Sequence, residues 1–132
     1  MFPMWRRLAV VLVGGVVGVS GAGAATIPQR LVGQYSRRLT RAQAGTTGVH
    51  TGTWRLKIAR SGVATLHHVA ADFDVAPARI TVSSTRIVFR GMTCATAGVY
   101  RWQVARKRLT LTKVKDACKP RVAVLQGTWQ EI

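Results

Sequence analysis

The sequence predicts an all-β fold: a small antiparallel up-and-down β-barrel of about eight strands, with one short helical turn near its start. Three observations carry that expectation. From Leu31 onward the apolar residues recur with period two rather than 3.6. Turn residues interrupt the pattern at intervals of about 8–12 residues, the rhythm of a barrel or sandwich. The segments also pair as successive hairpins, which favours a closed barrel without exposed sheet edges.

Taken in order, "LVGQYSRRLT" is a short opening strand. "TRAQAG" follows, with Thr40 as N-cap of a one-turn helix that ends at Gly45. "TTGVHTG" has the composition of a loop, and its His50 is expected to be solvated. In "TGTWRLKIARSG", Trp54, Leu56 and Ile58 share one face, while Thr53, Arg55, Lys57 and Ala59 share the other. Ser61-Gly62 turns the chain into "VATLHHVA", so residues 52–70 form a hairpin. "DFDVAPAR" breaks the pattern with Pro77 and two aspartates. "RITVSS" and "TRIVFRG" then pair through Ser83-Ser84, and Gly91 closes the pair. In "AGVYRWQVARKRLTLTKVK", Tyr100, Trp102 and Val104 share a face that Leu109 and Leu111 answer. "RVAVLQGTWQEI" supplies a last strand or two, with a bend at Gly127.

Residues 1–25 stand apart. Arg6 and Arg7 precede an apolar run, Leu8 to Val19, too short to span a bilayer. Small residues follow at Ala22, Ala24 and Ala25. This is the pattern of a secretory signal peptide cleaved near Ala24-Ala25, leaving 26–132 as one secreted, extracellular domain. Of 132 residues, 20 are basic and 4 acidic, for a net charge of +16. Without Arg6 and Arg7, 18 basic residues face 4 acids, a net charge of +14. The 48% apolar content separates the chain from disordered basic tails. Cys94 and Cys118, 24 residues apart, form an even pair in an exported chain, and a disulfide is expected. The rival, a metal or redox pair, would call for a CxxC or a nearby His, and neither is present.

A larger pattern runs through the second half: Cys94, then Tyr100-x-Trp102, Leu109-x-Leu111, Asp116-x-Cys118-x-x-Arg121, and finally Trp129. With "LVGQYSRRLT" and "GTWRLKIARSG", this resembles small secreted bacterial lipocalin-like (calycin) proteins whose activity is not established. The similarity covers Leu31 to Trp129. Tyr35 stands where lipocalins open with Gly-x-Trp, and Arg106-Lys107-Arg108 stands where such barrels turn on Gly, Asn or Asp. The resemblance implies the barrel fold, with Arg121 packed over Tyr35; the function expected on the residues is that of a non-enzymatic binding module.

The candidate sites follow. Trp54, Leu56, Phe89, Tyr100, Trp102 and Leu111 are expected to face the barrel interior, where they either enclose a small apolar ligand or pack solid. Arg55, Lys57, Arg101, Arg106, Lys107 and Arg108 form a cationic exterior suited to an anionic wall polymer or lipid. Nucleic acid is disfavoured, because Tyr100 and Trp102 lie on the apolar face and no docking element is evident. A solid-core module that binds a wall polymer or a protein is the alternative. Asp116 and Arg121 are expected to act structurally beside the disulfide, with Tyr35. His67 and His68 point to opposite faces of a strand and cannot share an ion, even with Asp72 and Asp74 nearby, so no metal or other cofactor is expected. Four acids and the lack of a Gly-x-Ser-x-Gly elbow speak against an enzyme. The protein is expected to be a monomer.

Overall fold

The computed structural model describes residues 26–132; the segment assigned above as a signal peptide lies outside them. The period-two segments become β1 (Gly33–Leu39), β2 (Gly52–Ile58), β3 (Val63–His68), β4 (Phe73–Asp74), β5 (Ala78–Val82), β6 (Arg86–Gly91), β7 (Gly98–Ala105), β8 (Arg108–Lys115) and β9 (Gly127–Glu131). The ring runs β1–β2–β3–β5–β6–β7–β8–β9 and returns to β1, all antiparallel, so eight strands close a barrel. The two-residue β4 adds to the edge of β3. The last strand seals the first through Gln130 opposite Ser36 and Glu131 opposite Tyr35. The backbone N–H of Ile132 extends the seam by donating to the carbonyl of Gln34 at 2.9 Å.

Up-and-down order gives the barrel two unlike ends. At the tight end the chain turns sharply after β2, β5 and β7. A 3-10 turn, Gln29–Leu31, sits there and buries Ile27 and Leu31. Tyr35 on β1 anchors it, its hydroxyl donating to the carbonyl of Leu31 at 2.8 Å. Arg30 lies over the Trp102 ring, 5.1 Å from its centroid. The wide end carries the longer connections, residues 40–51, 69–77, 92–97 and 116–126.

Helix α1 (Arg41–Ala44) forms as the sequence predicts. Thr40 and Gln43 exchange a capping box: the Gln43 N–H donates to the Thr40 hydroxyl and the Gln43 side chain accepts from the Thr40 N–H. Gly45 ends the helix with φ +57°. A second helix, α2 (Lys119–Leu125), corrects the sequence reading, which gave "RVAVL" to a strand. Val122 and Val124 suggest β structure on propensity. Pro120 in the first turn starts the helix, and burial of Val124 and Leu125 on one face holds it.

The interior is filled. Trp54, Leu56, Phe89, Tyr100, Trp102 and Leu111 all face inward and are buried, as alternation predicts. Phe89 and Tyr100 meet edge to face, 5.6 Å between centroids. Gly91 lets two strands approach. Its φ is +131°, and a Cβ there would stand 2.5 Å from the Pro77 carbonyl oxygen.

Candidate ligand pocket at the wide end

Where the long connections meet, the filled interior gives way to a pocket of about 180 Å³. Each wall has its own element. β2 supplies Trp54, β3 Leu66, β4 Phe73, the α1–β2 connection Val49 and His50, the β6–β7 connection Met92 and Thr93, and α2 Val124 with Pro120 and Arg121. Of the six side chains expected to enclose a ligand, Trp54 lines this pocket. Leu56, Phe89, Tyr100, Trp102 and Leu111 lie in the packed core.

The aromatic wall is held by hydrogen bonds. Trp54 Nε1 donates to the His50 carbonyl at 2.9 Å. The buried His68 lies 2.8 Å from the Thr51 carbonyl through Nε2 and 3.0 Å from the Ala71 N–H through Nδ1. A carbonyl only accepts and a backbone N–H only donates, so the ring is the Nε2–H tautomer. Phe73 stacks on His68 at 5.6 Å and meets Trp54 edge-on at 5.7 Å. His50 is exposed, as expected, yet its ring lies 5.0 Å from that of Phe73 at the pocket rim.

The floor is ionic. Arg121 and Asp116 have side chains fully removed from solvent. Arg121 grips Asp116 with two prongs: Nε donates to Oδ2 at 2.8 Å and Nη2 to Oδ1 at 2.7 Å. Arg121 Nη1 donates to the Gly91 carbonyl at 3.0 Å, and Nη2 to that of Thr96 at 2.8 Å. Asp116 also accepts from the Tyr100 hydroxyl at 2.6 Å and from the Cys118 N–H at 2.9 Å. Burial alone would raise the carboxyl pKa of Asp116, but Arg121, Tyr100 and the Cys118 N–H outweigh it and hold the pKa below its ordinary value. Burial, then the bond to Asp116, pushes the Tyr100 phenol far up. The hydrogen bonds to Asp116 raise Arg121 in turn. Gly98 leaves room for the pair; a Cβ there would fall 2.4 Å from Asp116 Oδ2. The Cys94–Cys118 disulfide, with Cα atoms 6.1 Å apart, ties the β6–β7 connection to the start of α2 beside this floor.

The expected packing of Arg121 over Tyr35 is not the arrangement found. Arg121 is engaged at the floor of the wide end, while the Tyr35 hydroxyl faces the tight end, its pKa pushed up to about 12 by burial and the Glu131 charge. The cation over an aromatic at the β1–β9 seam is Arg37, 5.9 Å from the Trp129 ring centroid. Its guanidinium donates to the carbonyls of Ala123 and Val124, at the C-terminal end of α2, and burial lowers its pKa. Sequence reasoning missed Arg37. The available signal was two adjacent arginines, Arg37-Arg38, in a strand whose alternation sends one of them inward.

The cations of the exterior are all exposed, but they do not form one patch. Arg55 and Lys57 lie on β2, while Arg101, Arg106, Lys107 and Arg108 lie on β7, β8 and their turn, across the barrel. His67 and His68 take opposite faces, and His67 pairs outside with Asp74 at 2.8 Å and Asp72 at 3.4 Å. Among the described residues, no set of three or more His, Cys, Asp or Glu side chains is placed to hold a metal. No family model matches the chain, and no curated protein matches it.

Proposed function

We propose that this is a secreted, non-enzymatic binding protein of lipocalin-like (calycin) type, acting as a monomer. It would hold a small apolar molecule at the wide end of its barrel, while its cationic exterior keeps it near an anionic cell envelope. The observation that carries the reading is the pocket of about 180 Å³ walled by Trp54, Leu66, Phe73, Met92 and Val124. An apolar cavity of about 150 Å³ admits benzene, so the class of ligand is a single- or fused-ring molecule, not a long lipid. The disulfide fits an oxidising compartment and therefore export.

The test uses the Trp54 indole as reporter. Indole added to the disulfide-bonded protein should shift the ring N–H and aromatic resonances of Trp54 and the ring resonances of Phe73 in NMR. Val49→Phe, which fills the space, should abolish the shift and leave the melting temperature within a few degrees. Native mass spectrometry of protein from its own secretion medium would then reveal the natural occupant. An unperturbed Trp54 at saturating indole would sink the ligand reading. One observation favours a second reading, a solid-core interaction module: Leu56, Phe89, Tyr100 and Leu111 are at most 1% exposed.

A further inference from the structure

The strand register brings together cations that lie far apart in sequence. Arg79 on β5 stands directly opposite Arg90 on β6, and Arg86 on β6 directly opposite Arg101 on β7. All four are exposed, and β5 through β8 contain no Asp or Glu. Like charges facing each other across a ladder destabilise a sheet. This barrel carries two such pairs on one wall, and among the described residues the arginine that pairs with a carboxylate is Arg121, with Asp116 away from this wall.

The rows are regularly placed. Arg79/Arg90 and Arg86/Arg101 lie four residues apart along β6, about 13–14 Å at strand rise. A neutral row, Thr81, Val88 and Val99, lies between them. The same step along β7 and β8 passes Gln103 and Thr110 and reaches Arg108, beside the turn residues Arg106 and Lys107. That turn is itself held at a cost. Arg106 and Lys107 have φ +52° and +63°, the left-handed pair that a two-residue hairpin assigns to Asn-Gly.

We infer that the outer wall of β5–β8 is a linear docking track for a non-aromatic, phosphate-bearing polymer of the anionic cell envelope. Six of its cations are arginines, whose planar fork matches phosphate oxygens in pairs. No aromatic side chain is exposed along it; the Trp and Tyr rings of these strands are in the core, so bases would find nothing to stack on. The inference rests on the cationic-exterior half of the proposed function, and it moves the focus from Arg55 and Lys57 to the opposite wall.

Titration of the disulfide-bonded protein with inorganic polyphosphate tests it, across 50–300 mM salt, beside oligothymidylate of equal charge. The doubly substituted R86Q/R101Q protein should lose about 1.4 from the slope of log K against log salt, two phosphate contacts at about 0.7 each. R55Q/K57Q should keep the wild-type slope. R86Q/R101Q should also melt higher than wild type, because a like-charge pair is gone, so its weaker binding is not unfolding. Equal losses from both double variants would overturn the track while leaving the cationic exterior standing. Tighter binding of oligothymidylate than polyphosphate would overturn the polymer class. A wild type that binds neither at 50 mM salt would overturn the track and the envelope reading together.

Discussion

Asp116 is one of four acids in a strongly basic chain, and every oxygen lone pair it offers is engaged inside the barrel. Removing one member of a buried pair leaves the other charge uncompensated, at about 3–5 kcal/mol. Asp116→Asn and Arg121→Met should each lower stability by that much in chemical denaturation. Tyr100→Phe removes one hydrogen bond to a charged group and should cost about 1.5–3 kcal/mol. The pH dependence has a definite sign. Since the folded pKa of Asp116 lies below its ordinary value, its stabilisation is complete above the unfolded pKa and fades as pH falls through the folded one. Acid titration of stability should therefore show a loss below about pH 4 that Asp116→Asn lacks. The Asp116–Arg121 pair was legible in the sequence through its place beside Cys118. The role of the Tyr100 hydroxyl was not, because alternation tells which face a residue takes but not what its polar tip meets.

At the scale of elements, most strands and turns were legible because each repeats a local rule: period two for faces, Gly or Ser for the turns after β2 and β5, Thr40 and Gly45 for the ends of α1. Helix α2 was not, because seven residues with two valines carry too short a pattern to outweigh β propensity, and its stability comes from tertiary contacts such as Arg37. The β7–β8 hairpin can be read against its own geometry. Arg106→Asn with Lys107→Gly relieves two left-handed residues and should stabilise by about 1–2 kcal/mol, seen as a higher melting temperature. Gly91→Ala should do the opposite, since its Cβ would meet fixed backbone at Pro77 and Ala78 rather than a movable side chain. That variant should fail to give a cooperative melt.

For the whole molecule, charge and covalent closure decide how robust the barrel is. With positive charge far in excess, added salt should raise the melting temperature by screening self-repulsion, most steeply below 0.1 M. Replacing Cys94 and Cys118 by Ser opens a 24-residue loop and should cost about 3 kcal/mol in a domain of modest core. The charge itself was fully legible from composition, but its arrangement was not. Which arginines face one another depends on register, which turn geometry and side-chain alternation set at each hairpin, independently of the ring's closure. That closure lies between β1 and β9, the two strands farthest apart along the chain. A chain lacking "GTWQE" would leave the facing edges of β1 and β8 unpaired. The barrel is thus built like a clasp whose two halves come from opposite ends of the described chain.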